Sequence, residues 1–204
     1  MVESPGENRP YHHGDLKAAL VEAADRLLER EGLSALSLRA VAREAGVSAA
    51  APYHHFRDKI ELLLAVARQG FVSMGDYMRQ CAEGIENPKA RLNRLGVAYV
   101  CFARDHPALY HLMYDSSRQA NFRAEPRRAD TGAMSLVHRV LTSAGGGAAD
   151  PLAIELREIA GWCVCHGLAE MQASHEFDAL KARLGGDEAF YSAVLANLDL
   201  PGDL

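Results

Sequence analysis

The chain has only four cysteines in 204 residues, Cys81, Cys101, Cys163 and Cys165. They are too few and too irregularly spaced for a disulfide framework, which points to a reduced, cytoplasmic setting. No apolar run approaches the ~20 residues that span a bilayer, so no membrane partner is expected. The opening MVESPGENRP is polar and acidic, without the basic and apolar regions of a secretory leader. Positive charge is not in excess either, because the formal net charge is −5. A convergent catalytic or metal-binding set is also lacking. His106, His111 and His166 are scattered relative to Cys101 and Cys163. Cys163 and Cys165 fall about 200° apart on a helix, a poor chelate. Neither an enzyme nor a bound metal or cofactor is expected from such a set.

Strand-like alternation and internal repeats are missing as well, and what remains reads as all-α. Hydrophobic residues make up 49% of the chain and charged residues 24%, enough to bury a substantial core at this length. Leu16, Leu20, Ala23, Ala24, Leu27 and Leu28 mark one apolar stripe of a first helix, about 14–31, which Gly32 ends. Asp58 is placed to cap a long helix to about residue 80, with Ile60, Leu63, Leu64, Ala67, Phe71, Met74 and Met78 facing inward. Pro88 opens another helix, and Asp105-His106-Pro107 breaks it and starts a short one. Residues 116–126 read as a polar loop, and about 127–143 as a helix ended by three glycines. Asp150-Pro151 is a cap-and-first-turn pair for a helix to about 174. Shorter helices follow at about 177–184 and 187–200.

Between the first and the long helix lies LRAVAREAGVSAAAPYHHFRDK, residues 38–59. Leu38, Val41 and Ala42 share one face of a short helix. Gly46 stands where the chain must leave it, since a left-handed residue there costs glycine no Cβ clash. Val47 is placed to fill the angle that follows, and Ser48 offers a hydroxyl cap to a second helix, about 49–56. That helix is too short and polar to be stable alone, yet it presents Tyr53, His54 and His55. A helix-turn-helix docked on DNA accounts for it best.

Charge partition agrees with that reading. Residues 9–59 hold eight Lys/Arg against seven Asp/Glu, so they are the least anionic part of the chain. Arg9, Lys17, Arg39, Arg57 and Lys59 are positioned to gather on one face. Phosphate contacts need such a local surface, not a basic protein.

The three segments YHHGDLKAALVEAADRLLEREG, LSLRAVAREAGVS and APYHHFRDKIELLLAVA, in this order and spacing, resemble the TetR family of one-component transcriptional regulators. The likeness covers about residues 11–71. Further on, Trp162, His166 and Gly167 in WCVCHGLAEM resemble the Trp…His-Gly signature of one C-terminal subtype. The resemblance implies an all-α fold with an N-terminal three-helix helix-turn-helix domain, 9–59. A larger helical ligand-binding and dimerisation domain, 60–204, follows. It implies a homodimer through the two C-terminal helices, about 151–174 and 187–200, with Ile159, Trp162, Phe190, Val194 and Leu198 at that seam or in the core behind it. The partner is then a near-palindromic double-stranded DNA operator read one turn, ~34–36 Å, apart.

Carried over residue by residue, Ser48 and Ala49 begin the recognition helix, Tyr53 and His54 approach phosphates or base edges, and Lys59 matches a phosphate-binding lysine. Arg39 is positioned for a base or a phosphate, and its fork suits guanine. Phe56 reads as core. Ala49-Ala50-Ala51 lack hydrogen-bonding side chains, so thymine methyls, Arg39 and DNA shape are expected to supply much of the specificity. Arg9, Tyr11, His12 and His13 form a possible arm.

In the second domain, Tyr99, Phe102, Tyr110, Met113, Tyr114, Phe122, Met134, Trp162, Cys163 and His166 suit a mostly apolar pocket for a small-molecule effector. The expected function is a ligand-responsive regulator acting as a repressor. The alternatives are a metal- or redox-responsive regulator on the same fold, using Cys163 or Cys165 for the redox case, and more remotely an all-α enzyme.

Overall fold

The computed structural model describes residues 16–117, 132–144, 150–172 and 174–197. Among these, all regular structure is helical: α1 (Leu16–Glu31), α2 (Leu38–Glu44), α3 (Lys59–Cys81), α4 (Pro88–Asp105), α5 (Pro107–Ser117), α6 (Ala133–Ala144), α7 (Pro151–Met171), α8 (Asp178–Leu184) and α9 (Asp187–Ala196). Short 3-10 turns occupy Leu33–Ala35, Ala51–His54 and His175–Phe177. The chain divides into two compact units, Met1–Leu62 and Leu63–Leu204. The arm residues Arg9, Tyr11, His12 and His13, together with Phe122 and Leu198, lie outside the described residues.

In the first unit the apolar stripe of α1 is buried from Leu20 to Leu28, and α2 packs on it through Leu38, Val41 and Ala42. Ser37 caps α2, its hydroxyl accepting from the Ala40 N–H at 3.1 Å. At the other end Gly46 has φ +69°, the Val47 N–H donates to the Ala42 carbonyl at 2.9 Å and the Gly46 N–H to Arg43 at 3.2 Å. These crossed bonds satisfy the carbonyls that a helix end leaves open. Arg30 of α1 holds the Glu44 carboxylate of α2 at 2.7 Å and keeps it below the usual carboxylate range.

The segment expected to be an α-helix over 49–56 is instead a turn followed by the 3-10 stretch Ala51–His54. Pro52 is the reason. In an α-helix its amide would bond the Ser48 carbonyl, and proline has none to give. That carbonyl accepts from the Ala51 N–H at 3.0 Å, and Tyr53 and His55 also bond three residues back. The expected Ser48 cap is not at the start of this stretch: the cap position is Ala50, which has no hydrogen-bonding side chain to offer, and Ser48 contributes its carbonyl.

Asp58 does cap α3, its carboxylate accepting from the Glu61 N–H at 2.9 Å. Ile60, expected inward, is 54% exposed, and Leu62 is the fully buried residue of that first turn. The i, i+4 series from Ile60 places the stripe correctly further along, at Leu64, Ala67, Met74 and Met78, but not at the helix start.

In the second unit α4 is the central element, buried on every face from Leu95 to Ala103 and packed against α5, α6, α7 and α9. At Gly96 α4 is closely approached by α7 and α9, since a Cβ there would lie 2.8 Å from Leu195 Cδ1 and 3.2 Å from Cys165 Sγ. Asn87 and Asp150 cap α4 and α7, each followed by proline in the first turn. Asn93 and Ser192 exchange two hydrogen bonds between α4 and α9, at 2.9 and 2.8 Å. Phe190 is core, stacked on Phe177 at 5.5 Å. No helix among the described residues is long and apolar enough to cross a membrane.

Candidate functional site

Two places on the chain hold the side chains singled out from the sequence. The first is the face of the first unit around the Gly46 turn. Arg39 sits exposed in the first turn of α2, and Ser48 and Ala49 are exposed on the turn that follows Gly46. Tyr53 is 54% exposed and His54 is exposed, while His55 is half-buried. Pro52 and Phe56 are buried, so the short 3-10 stretch is anchored on one side and bare on the other. Lys17 lies over the Phe56 ring at 5.7 Å. Lys59 donates one of its hydrogens to the Leu33 carbonyl at 3.1 Å, which fixes the ammonium and leaves two donors. Arg57 is spoken for by Glu61, at 3.2 Å through its guanidinium.

The second place lies inside the second unit. Five of the expected residues meet there: Tyr99 from α4, Tyr110 and Tyr114 from α5, and Trp162 and His166 from α7. The Tyr99 hydroxyl is 2.5 Å from that of Tyr114, 3.1 Å from that of Tyr110 and 3.4 Å from His166 Nδ1. The Tyr110 hydroxyl is 2.6 Å from His166 Nδ1, and the Trp162 indole N–H points at the Tyr114 hydroxyl at 3.5 Å. Trp162 stacks on the His166 ring, with centroids 5.4 Å apart. Burial pushes the phenols of Tyr99, Tyr110 and Tyr114 above their ordinary range, and for Tyr99 the neighbouring Tyr114 adds to this.

Other expected residues stand apart from this cluster. Phe102 is buried beside Tyr77 and His106. Met113 is fully buried under Gly70, whose added Cβ would lie 2.7 Å from the Met113 Sδ. Met134 is half-buried on α6. Cys163 is exposed on the far side of α7, and Cys165 is buried with its thiol pushed up to about 12 by that burial. No group of three His, Cys, Asp or Glu suited to a metal occurs among the described residues.

Two side chains near these helices are not assigned to a site by the sequence, Phe71, read there only as an inward residue of α3, and Glu158. Phe71 of α3 meets Tyr114 edge-on at 5.6 Å. Glu158, only 7% exposed, takes His138 Nδ1 of α6 at 2.5 Å. The signal for Glu158 was its spacing: residues 158, 162 and 166 form an i, i+4, i+8 ladder on one side of α7.

Residues 20–66 match the family model described as bacterial regulatory proteins, tetR family, and residues 92–197 match the tetracyclin repressor-like C-terminal domain. A protein of unknown function from Rhodococcus sp. RHA1 is 33% identical, with 93% of this chain and 95% of that one covered at a TM-score of 0.72. The transcriptional regulator FadR from Bacillus subtilis, in complex with stearoyl-CoA, is 16% identical, with 92% and 99% covered at a TM-score of 0.63. A TetR variant from Acinetobacter baumannii AYE, in complex with minocycline, is 22% identical, with 88% and 93% covered at a TM-score of 0.60. The last two share the fold. The chain belongs to the TetR family of bacterial regulatory proteins and is a transcription regulator, not an enzyme.

Proposed function

We propose that this protein is a cytoplasmic, ligand-responsive repressor that binds a near-palindromic DNA operator as a homodimer and is switched by a small, largely apolar effector. In this reading residues 9–59 hold the DNA and residues 60–204 hold the effector and the partner subunit. The observation that carries it is the link from the polar cluster to α3. Tyr114 touches Phe71 of α3, and Met113 of α5 sits under Gly70 of α3. Helix α3 runs unbroken from Lys59 to Cys81. A ligand that repositions Tyr114 therefore pushes on the same rod that begins at a candidate phosphate contact. It acts by favouring one of two dimer geometries through its differential affinity.

The bare face of Arg39, Ser48, Ala49, Tyr53 and His54, with the two remaining donors of Lys59, supports the DNA reading. Most of these groups are suited to backbone contact and shape readout, and Arg39 is suited to a base edge. The relatives' ligands, minocycline and stearoyl-CoA, differ in size and polarity, so they support a ligand-receiving fold without narrowing the chemistry.

The test is operator selection from random duplex DNA followed by gel-shift titration. Tyr53→Ala and Lys59→Ala are each expected to weaken binding about tenfold, the worth of one charge-assisted or aromatic contact. Helical circular dichroism should be unchanged. Wild-type affinity in both variants would remove these residues from the interface.

A further inference from the structure

The first turn of α3 carries an acid beside the candidate DNA contacts. One oxygen of Glu61, Oε2, accepts the Arg57 backbone N–H at 2.8 Å and the Arg57 Nε–H at 3.2 Å. These bonds, the backbone one foremost, hold the Glu61 carboxyl below the usual carboxylate range, so it is charged at neutral pH. Asp58 caps the same turn through the Glu61 N–H at 2.9 Å, and Lys17 is a second cation whose charge reaches Glu61. The two members of the pair are unequally fixed. Glu61 is tied to a backbone N–H and its side chain is 37% exposed, whereas the Arg57 side chain is 89% exposed.

An ion pair this open adds little to stability. Its place in the chain gives it another consequence. Arg57 stands between Tyr53 and His54 on one side and Lys59 on the other, all candidate DNA contacts. A free guanidinium there would meet phosphates of any sequence, and each such contact raises affinity without adding discrimination. The carboxylate opposes this twice, by occupying the guanidinium and by setting a fixed negative charge next to it. We infer that Glu61 is a positioning residue that withholds Arg57 from DNA phosphates and so limits sequence-independent binding. The inference rests on the DNA-binding reading above and adds a restraint to it. Lys59, with two donors left free, remains the phosphate contact of this turn.

Glu61→Gln separates the charge from the backbone bond. The carboxamide oxygen still accepts the Arg57 N–H, so thermal unfolding should match wild type, while the charge that holds the guanidinium is gone. Binding of full-length protein to a short labelled duplex of mixed sequence is followed by fluorescence anisotropy from ~50 to ~200 mM salt. Log affinity falls linearly with log salt, by about 0.9 for each phosphate neutralised. Glu61→Gln should steepen that slope by about 1 for each subunit bound, and should tighten binding several-fold within this salt range. A merely structural role would not move the slope in that direction.

Arg57→Ala alone should keep the wild-type slope, because its guanidinium is already withheld. Arg57→Ala combined with Glu61→Gln should keep it too. Lys17 and Asp58 are present in all four proteins, so the comparison isolates the pair. An unchanged slope in Glu61→Gln overturns the proposal. A shallower slope in Arg57→Ala does the same, since it would put Arg57 on a phosphate in the wild type. If the double variant is as steep as Glu61→Gln, loss of negative charge alone is responsible and the role given to Arg57 is wrong. Wild-type protein with no salt-dependent binding to duplex DNA overturns the DNA-binding reading as well.

Discussion

Tyr99 illustrates how one atom can organise a region. Its oxygen is the shared point of the cluster, and the side chain is only 4% exposed. Replacing it with phenylalanine keeps the ring and its edge-on contact with Tyr110 at 6.0 Å, and removes only the oxygen. The hydroxyls of Tyr110 and Tyr114 then lose their common partner, a loss worth about 2 kcal/mol for buried polar groups. Tyr99→Phe should therefore lower stability by about that amount in urea unfolding. The alkaline limb should change too. A phenol raised by burial keeps its hydrogen in the folded state, while in the unfolded chain it ionises near pH ~10. The unfolded state thus binds fewer protons above that value, and stability is complete below it and falls as pH rises past it. Absorbance at 295 nm should show the cluster tyrosines ionising together with unfolding, and the fall should be shallower in Tyr99→Phe. Independent ionisation of these phenols in folded protein would contradict the packing described here.

Helix ends and turns follow local chemistry, and the Gly46 turn makes this measurable. Gly46 has φ +69°, and a Cβ placed on it would meet nothing within 4 Å. The cost of Gly46→Ala is therefore purely the backbone's, about 1 kcal/mol for a left-handed alanine. Gly46→Asn should cost less, since asparagine visits that region more readily. Chemical denaturation should rank the three Gly, Asn, Ala, and an alanine variant as stable as wild type would argue against the left-handed turn. The same local logic makes the glycine turn, the Asp58 and Asp150 caps and the proline starts of α4 and α5 readable in the sequence. It failed where two local rules competed. At 49–56 the helical pattern was genuine, but Pro52 withholds the amide that an α-turn would need. At Ile60 periodicity alone could not say which residue of the first turn faces the core. The polar cluster of the second unit is legible in the sequence only as a list of residue types. Tyr99 and His166 meet across 67 positions of chain, through the packing of α4, α5 and α7, and helical spacing says nothing about which residues on different helices converge. Phe102, three residues from Tyr99, falls with it by residue type and spacing, whereas it packs on Tyr77 and His106.

At the scale of the whole molecule, α7 poses a question that one subunit does not answer. Its buried side, with Ile154, Cys165 and Ala169, packs within the second unit. Its other side carries Leu152, Leu156 and Ile159, which are 60%, 59% and 45% exposed, with Cys163 in line after them. Positions 152, 156, 159 and 163 form one helical stripe, so α7 is apolar on two opposite faces. A contiguous apolar stripe of this kind marks an interaction surface, and self-association about a two-fold axis would bury it against its own copy. In such a seam every substitution occurs twice. Leu156→Glu would bring two carboxylates into an apolar contact, where desolvation and like charge each cost several kcal/mol. The residue is exposed in the single subunit, so the fold itself should survive. Sedimentation velocity should show a dimer for wild type and a monomer for Leu156→Glu, with unchanged helical circular dichroism. Operator affinity should fall far more than for any single DNA-contact variant, because the second half-site loses its tether to the first. A Leu156→Glu protein that remains dimeric and binds operator like wild type would place the seam elsewhere. Cys163 offers an independent readout along the same stripe. Its thiol should be shielded from iodoacetamide in the wild-type dimer and should react readily once Leu156→Glu has opened that face.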